Sequence, residues 1–281
     1  MEVKKPIFIV GVGRSGSTIF NKVFSEHPQA AWISARLLDM LPAKPQANRW
    51  LLNMVDYPVV GPFLKNRFQP GEGYGFWEYH CPGFSEPCRD LLPLDVTNKH
   101  KKKIAQLMSQ ITTAKRNRLL IKITGWPRIG FLHEIFPDAK FIHISRDNRG
   151  VINSMINVDW WWGWRGPTNW RWGDLTPEQY AEWERFDRSF IALAGIEMNI
   201  LAAAMENAKT YVAPENFKEV RYEDLCDDPI GIFKQVVEFC ELDWSATFEH
   251  RINQYQLKDT NYKWQEELTE AQKEIVEYYA N

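Results

Sequence analysis

The sequence predicts a single α/β domain built on a central parallel sheet with helices on both faces. Three short apolar runs carry this prediction, at residues 7–10, 119–123 and 140–145, and each is followed by a turn signal and a helix-like segment. Such alternation is typical of a parallel sheet, and strands that are apolar at nearly every position are covered on both faces. A chain of 281 residues that is 44% hydrophobic can bury one such core, so we expect one domain over residues 1–281.

Local signals predict a fourth strand and a long helix. Residues 219–222, Glu-Val-Arg-Tyr, are the candidate for this strand. Thr176 and Gln179 have capping-box spacing, with Pro177 at the first helical position. The apolar pattern after this box predicts one helix that runs toward Asn207.

Two further helices and one irregular segment complete the outline. Pro229 opens one helix, and Thr269 with Gln272 repeats the capping-box spacing before the last helix. Residues 35–74 contain several prolines and glycines, which predicts loops and short helices over the sheet edge. In this fold class such an insertion lies beside the ligand crevice.

Composition excludes several kinds of partner and site. With 34 basic and 36 acidic residues the formal net charge is −2, so we expect no nucleic-acid partner. The polar residues 1–5 and the short apolar run after them fit neither a signal peptide nor a membrane span. The four cysteines lack the spacing of a metal or redox site, and we find no metal cluster: Cys81, Cys88, Cys226 and Cys240. We therefore expect a cytoplasmic protein in a reducing compartment.

A glycine-rich turn joins the first strand to the first helix. Glycines let backbone N–H groups converge on an anion, and the helix N-terminus adds its positive dipole end. Ser17 and Thr18 offer hydroxyl groups beside them. This context predicts a phosphate cradle of the P-loop type, and a turn that merely connects strand to helix is the alternative. The turn consists of Gly11, Val12, Gly13, Arg14, Ser15, Gly16, Ser17 and Thr18.

The first enzymatic rival is a nucleotide kinase-like phosphotransferase. Its Walker pattern would place a lysine where this chain has Ser17. Arg14 instead supplies a fixed cation with forked donors earlier in the turn.

Two motifs resemble those of PAPS-dependent sulfotransferases, which use 3′-phosphoadenosine 5′-phosphosulfate (PAPS) and release adenosine 3′,5′-bisphosphate. Residues 13–18 resemble the 5′-phosphosulfate loop, in which a basic residue precedes Ser-Gly-Thr/Ser-Thr. Residues 136–154 resemble the 3′-phosphate motif, in which a strand ends in Arg-Asp and a serine follows eight residues after the arginine; a structural Arg–Asp pair is the alternative. The resemblance implies that the cofactor contacts Gly13, Arg14, Ser15, Gly16, Ser17, Thr18, Arg146 and Ser154.

Two weaker similarities complete the predicted nucleotide site. Tyr222 lies in a Tyr-Glu-Asp-Leu sequence that resembles the family element whose tyrosine lies by the adenine. Residues 260–264, which include Lys263 and Trp264, resemble the basic and aromatic loop over the nucleotide, and an ordinary C-terminal loop is the alternative.

Transfer of the sulfuryl group from PAPS requires a cation at the bridging oxygen and a base for the acceptor hydroxyl. A sulfuryl group carries less charge than a γ-phosphoryl group, so its transfer can proceed without metal. We assign the cation to Arg14. Lys122 matches a family lysine, although Pro127 comes two residues late, and a lysine that extends to the surface is the alternative. For the base, some relatives use a glutamate soon after a His-Pro sequence, but no carboxylate follows His27-Pro28 through Ser34 in this chain.

The predicted replacement for that glutamate is the pair Glu78 and His80. In an extended segment, side chains at alternate positions point to one side, where a carboxylate and an imidazole can share a proton. Similar Glu-x-His pairs occur in sulfotransferases related to polyketide processing. Two exposed polar residues that alternate with buried aromatic residues are the alternative.

Residues 159–174 are unusually rich in tryptophan. They could form a lid that walls the acceptor pocket, or a plug that closes the core. A sugar, a phenol or a lipid-like alcohol would each suit a tryptophan wall. From another class, the chain could be a non-catalytic nucleotide-binding protein. The tryptophans are Trp160, Trp161, Trp162, Trp164, Trp170 and Trp172.

Overall fold

The computed structural model describes residues 3–85, 88–169 and 173–280. In this part of the chain five parallel strands form one sheet in the order β2-β3-β1-β4-β5. The predicted parallel α/β architecture is therefore confirmed, with one strand more than the sequence indicated. The strands are β1 (Ile7–Gly11), β2 (Ala30–Trp32), β3 (Arg118–Thr124), β4 (Lys140–Ser145) and β5 (Phe217–Arg221).

Helices cover both faces of the sheet and fill the connections between strands. In chain order they are α1 (Ser17–Phe24), α2 (Ala35–Met40), α3 (Gln46–Met54), α4 (Val60–Arg67), α5 (Tyr74–His80), α6 (Asn98–Ser109), α7 (Ile129–Ile135), α8 (Asn148–Ile156), α9 (Pro177–Arg185), α10 (Phe190–Lys209), α11 (Tyr222–Asp227), α12 (Pro229–Phe239), α13 (Ala246–Ile252), α14 (Lys263–Glu267) and α15 (Glu270–Tyr278). Short 3-10 turns occur at Pro93–Asp95, Gly163–Arg165, Pro167–Asn169 and Pro214–Asn216.

The central strand β1 positions the site. All five of its residues are buried, and it pairs with β3 on one side and β4 on the other. In this register Val10 lies between Ile123 and His143. The loops that follow β1, β3 and β4 therefore start side by side at one edge, where ligands of open parallel sheets bind.

Two hydrophobic clusters support this edge. The larger one surrounds the sheet and includes Phe8, Phe20 and Phe141. The smaller one lies around α10, where Ile152 and Tyr279 pack against it. By length and composition α10 could cross a bilayer, but 56% of its apolar window is buried inside the protein, as in the core helix of a globular domain.

The helix predicted from Pro177 toward Asn207 is two helices, so the single-helix prediction is wrong. The capping box of Thr176 and Gln179 is present and opens α9. Asp187 and Arg188 then take positive φ angles of 49° and 58°, which a continuous right-handed helix excludes. The Ser189 hydroxyl accepts the N–H of Ile191 and starts α10.

Other element predictions are confirmed with shifted boundaries. Residues 35–74 contain α2, α3 and α4, which are short helices as expected. The fourth predicted strand is β5, which begins two residues before Glu219 and ends at Arg221, because Tyr222 opens α11. The boxes and prolines predicted to open α12 and α15 occupy those positions.

Candidate functional site

The glycine-rich turn wraps tightly between β1 and α1. Arg14 has a φ of 69° and Gly16 a φ of 91°, both in the left-handed region. Gly16 is the N-cap of α1 and has no side chain to occupy the first-turn N–H groups, which leaves them for an anion. A Cβ at Gly16 would lie 2.3 Å from the Tyr222 ring, so only glycine allows this close approach.

Arg146 lies at the end of β4 and is held by three neutral oxygens. Its guanidinium donates to Asn261 Oδ1 at 2.7 Å, to the Arg14 carbonyl at 3.0 Å and to Thr260 Oγ1 at 3.1 Å. It also lies 4.6 Å from the centre of the Tyr222 ring. Because no carboxylate is among these partners, the guanidinium keeps its full positive charge for an anion.

Arg14 links the loop after β1 to the helix after β4. Its Nε donates to Ser154 Oγ at 2.8 Å. The two motifs that are far apart in the sequence therefore meet through Arg14, Arg146 and Ser154. This arrangement favours binding of one ligand with two anionic groups across the loops.

A cavity of about 710 Å³ extends from this meeting point. Of the residues predicted to bind the nucleotide, Arg14, Gly16, Thr18, Arg146, Ser154, Tyr222 and Lys263 line it. Residues that were not singled out as cofactor contacts also line it, and they include Lys22, Asn153 and Thr260. We call this space the nucleotide cavity.

A second cavity of about 520 Å³ lies on the other side of the loop. Its lining includes Gly13, Arg14, Ser17, Thr18, Pro70, Glu72, Tyr74, Lys122, Arg128, Met155, Trp126 and Trp160. Two residues, Arg14 and Thr18, line both cavities. We call the second space the acceptor cavity, and its junction with the nucleotide cavity is at these two side chains.

Lys122 points into the acceptor cavity rather than to the surface. The residue is 4% exposed, and its Nζ donates to Thr18 Oγ1 at 2.8 Å. It also forms an ion pair with Glu72, whose Oε1 is 3.0 Å away. The same Glu72 oxygen accepts the Thr124 hydroxyl at 2.8 Å. A cation, a hydroxyl and a carboxylate are thus adjacent at the junction.

The predicted extended pairing of Glu78 and His80 is wrong. Both residues lie in α5, where positions two apart do not share a face. The carboxylate oxygens of Glu78 accept the N–H groups of Gly83 and Ser85, at 2.8 and 2.7 Å. Burial raises the Glu78 pKa, but these backbone donors outweigh it and keep the pKa below its usual range.

His80 is likewise engaged elsewhere. Its Nε2 is 2.7 Å from the Pro42 carbonyl oxygen, which fixes the ring against the segment after α2. Burial lowers the His80 pKa, although the carbonyl partly offsets this effect. Neither Glu78 nor His80 lines either cavity.

Two predicted cofactor residues lie away from the cavities. Ser15 is fully buried behind the loop, with its hydroxyl near Gly11. Trp264 belongs to the hydrophobic cluster around α10, and the Arg149 guanidinium stacks 5.3 Å from its ring. Neither side chain lines a cavity, and the prediction that Ser15 and Trp264 bind the nucleotide stays a prediction.

The tryptophan-rich segment contributes both a wall and a plug. Trp160 lines the acceptor cavity beside Gly13. Trp161 is buried, and its Nε1 donates to the buried Glu197 at 2.7 Å. Trp162 and Trp164 are exposed and flank Arg165, while Trp170 and Trp172 lie outside the described residues.

Sequence reasoning missed Glu72, Tyr74 and Lys22. Lys22 follows Thr18 by four residues in the predicted first helix, so its position on the loop's face was available from spacing. The Tyr74 hydroxyl donates to the Thr124 carbonyl at 2.5 Å, and burial raises its pKa. No motif or spacing singled out Glu72, because it lies in the unassigned segment before α5.

Comparison with known proteins agrees with this geometry. The model of the Sulfotransferase family matches residues 6–246. The chain is 28% identical over 183 residues to the omega-hydroxy-beta-dihydromenaquinone-9 sulfotransferase Stf3 of Mycobacterium bovis, a match that covers 63% of this chain and 42% of that protein. The chain therefore spans less than half the length of this curated relative.

Solved structures show the same fold. The sulfotransferase STF9 of Mycobacterium avium superposes with a TM-score of 0.55 at 17% identity, over 99% of this chain and 76% of that one. The sulfotransferase domain of the Synechococcus PCC 7002 olefin synthase gives 0.50 at 17% identity, over 99% and 96%. With the family match over most of its length, this chain belongs to the sulfotransferase family.

Proposed function

We propose that this chain transfers the sulfuryl group of PAPS to an acceptor hydroxyl. The observation that carries the proposal is the junction of two cavities at Arg14 and Thr18. One cavity has the cradle for a nucleotide with two anionic groups, and the other has aromatic walls. A group held at the junction is reachable from both sides, as in-line transfer requires.

The residues of the nucleotide cavity fit a 3′,5′-disubstituted adenosine. The first-turn N–H groups of α1 and the Arg14 side chain suit the 5′-phosphosulfate, while Arg146 and Ser154 suit the 3′-phosphate. The bonds that these side chains now make to neutral oxygens can be exchanged for charged ones. The Tyr222 ring lines the same cavity and offers a face for the adenine.

The residues of the acceptor cavity suit the transfer step. The acceptor oxygen attacks sulfur while the bond from sulfur to the bridging phosphate oxygen breaks, and adenosine 3′,5′-bisphosphate leaves. Arg14 and Lys122 stabilise the negative charge that develops on the bridging oxygen. We assign the general base to Glu72, because it is the carboxylate beside Lys122 at the junction and Glu78 is held by backbone N–H groups.

The kinase-like alternative is not favoured. Ser17 replaces the Walker lysine, and the family match names sulfotransferases. The non-catalytic alternative is disfavoured by the acceptor cavity itself, which a nucleotide sensor would not need.

The acceptor cavity supports a lipid-like or aromatic alcohol as acceptor. Trp126, Trp160 and Met155 form its apolar walls, and the relative Stf3 is named for a hydroxylated menaquinone. A phenol or a sugar that stacks on indole would meet the same walls. We further propose a reducing compartment, the cytoplasm, which the four free cysteines support.

Titration calorimetry with adenosine 3′,5′-bisphosphate, and with ATP plus magnesium, tests the nucleotide half of this proposal. We expect the bisphosphate to bind and ATP to bind weakly. Turnover of PAPS over a panel of lipid-like, phenolic and sugar alcohols tests the acceptor half. Tight ATP binding that requires magnesium would favour the kinase-like phosphotransferase instead.

A further inference from the structure

The connection between α3 and α4 exposes large apolar side chains to solvent. Val59 is 88% exposed, Phe63 is 68% exposed and Tyr57 is 58% exposed, and Val60 beside them is also exposed. Single exposed apolar residues are common on protein surfaces, but contiguous groups of them mark interaction sites. We call Tyr57, Val59, Val60 and Phe63 the apolar tip.

The apolar tip is one continuous surface. The N–H of Gly61 donates to the Tyr57 carbonyl at 2.8 Å, so the helical turn already begins at Tyr57. Phe63 then follows Val59 by four residues and Val60 by three, and residues with these spacings are neighbours on a helix. A Cβ at Gly61 would lie 2.2 Å from the Val55 carbonyl oxygen, so the glycine packs the turn closely onto the end of α3.

The charge beside the apolar tip is positive. Arg67 follows Phe63 by four residues in α4, so the two side chains are neighbours on the helix, and Arg67 has no carboxylate within ion-pair distance in the described parts of the chain. The carboxylate of Asp56, which precedes Tyr57, is paired with both Arg116 at 2.7 Å and Lys115 at 2.8 Å, so it adds no net negative charge. Although the whole chain has a net charge of −2, this surface therefore presents positive charge beside an apolar centre.

The apolar tip is close to the acceptor cavity along the chain. Phe63 precedes the end of α4 by four residues, and Pro70, three residues beyond that end, lines the cavity. At helical rise followed by full extension, the two Cα atoms are at most about 17 Å apart. Glu72 comes two residues after Pro70 and lines the same cavity.

We propose that the apolar tip docks this chain on the surface of an anionic lipid bilayer. Aromatic and aliphatic side chains that enter the interface, with cations around them for lipid phosphates, are the chemistry of a peripheral membrane contact. A protein partner that covered the same tip would be expected to supply a carboxylate for Arg67. The inference extends the proposed function, since a docked chain would hold its acceptor cavity near a lipid-like alcohol.

Vesicle flotation of the full chain tests the proposal without any turnover. The wild type should bind vesicles of phosphatidylcholine that contain about one third phosphatidylglycerol, and bind pure phosphatidylcholine at least several-fold more weakly. The double variant Val59→Ser/Phe63→Ser should lose about tenfold in binding to the anionic vesicles. Phe63→Trp should keep wild-type binding, because indole suits the interface equally well.

Leu94→Ser is the matched control, since Leu94 is 81% exposed but lies outside the insertion. It should bind vesicles like the wild type. Absence of vesicle binding by the wild type, or an equal loss in both serine variants, would overturn the docking proposal. A dimer seen by sedimentation velocity and broken by Val59→Ser/Phe63→Ser would overturn it in favour of a second copy as the occupant. Binding of adenosine 3′,5′-bisphosphate by the same samples tests the proposed function separately.

Discussion

At the scale of single residues, the site uses two kinds of cation. Arg14 and Arg146 are positioned by hydroxyl, amide and carbonyl oxygens, so their charge is available to a ligand. Lys122 is instead paired with Glu72. A nucleotide that draws Lys122 toward its bridging oxygen would leave the Glu72 carboxylate free to accept a proton. The arginines therefore suit binding, and the Lys122–Glu72 pair suits the transfer step.

Glu72→Gln should lower kcat by about 10²- to 10⁴-fold, because glutamine cannot accept the acceptor proton. The affinity for adenosine 3′,5′-bisphosphate should stay near wild type, since Glu72 does not line the nucleotide cavity. Steady-state turnover of PAPS and calorimetry measure the two effects. Glu78→Gln is the control and should keep kcat within a few-fold. If the kcat of Glu78→Gln fell as far as that of Glu72→Gln, the assignment of the base would be wrong.

Arg146→Ala should remove most of the preference for adenosine 3′,5′-bisphosphate over adenosine 5′-phosphate. A charged hydrogen bond to the 3′-phosphate accounts for about 1.5 to 3 kcal/mol of that preference. Calorimetry of both nucleotides against both proteins gives the difference directly. Equal affinity of the wild type for the two nucleotides would contradict the assignment of the 3′-phosphate to Arg146.

His143 should make the fold sensitive to acid. Burial in β4 lowers its pKa to about 4, although Glu219 partly opposes this effect. Because the folded pKa lies below the unfolded value of 6.5, the contribution of His143 is present above pH 6.5 and is lost as pH falls toward 4. The free energy of unfolding of His143→Gln should therefore fall less between pH 7 and pH 4.5 than that of the wild type, by about 1 to 3 kcal/mol. His250→Gln, which changes an exposed histidine, is the control. The effect would be excluded if urea titrations gave parallel curves of unfolding free energy against pH for the wild type and His143→Gln.

At the scale of elements, the sequence predicted the parts whose signals are local. The predominantly apolar runs identified β1, β3 and β4, and the glycine-rich turn identified the loop before α1. The three-residue strand β2 is too short to show a pattern. The break between α9 and α10 depends on two non-glycine residues with positive φ, which propensity does not reveal.

The candidate site was predictable only where backbone motifs define it. Arg14, Arg146 and Ser154 follow from motif spacing, and the structure brings them together. Glu78 and His80 were misplaced because an aromatic segment of seven residues has no period that separates strand from helix. Glu72 became visible only through tertiary contact with Lys122.

The contact between the loop and α11 gives a prediction at this scale. Gly16→Ala should weaken binding of adenosine 3′,5′-bisphosphate by at least about tenfold, because the new methyl group would displace the Tyr222 ring and the loop. Gly166→Ala is the control for strain without a collision. Gly166 shares the φ of Gly16, 90° against 91°, but its ψ is 173° instead of −1°, a conformation that alanine tolerates even less, and a Cβ there meets nothing within 4 Å.

Gly166→Ala should thus strain the backbone at least as much as Gly16→Ala does, but without the collision. Its thermal stability should fall while its nucleotide affinity stays at the wild-type value. A similar loss of affinity in both variants would mean that the Gly16 contact has no special role in binding.

At the scale of the whole molecule, the nucleotide cavity joins the two ends of the chain. Arg14 comes from the first loop, Arg146 and Ser154 from the middle, and Thr260 and Lys263 from the segment before the last helices. Arg146 already connects the first and last of these through the Arg14 carbonyl and the Thr260 hydroxyl. A ligand in the cavity would bridge elements that are separated by most of the sequence.

Adenosine 3′,5′-bisphosphate should therefore stabilise the fold as a unit. At about 100 times its dissociation constant, a ligand that binds only the folded state adds about 2.7 kcal/mol, which corresponds to a rise in Tm of roughly 5 °C for a chain of this size. Differential scanning calorimetry should show this rise as a shift of the whole transition. Arg146→Ala should lose most of the shift at the same nucleotide concentration.

A chelator of divalent metals should leave the wild-type shift and PAPS turnover unchanged, because the proposed binding and transfer use arginine, lysine and backbone N–H groups. A shift that required magnesium, or one that adenosine 5′-phosphate reproduced in full, would contradict both the proposed cofactor and the role of Arg146 in holding it.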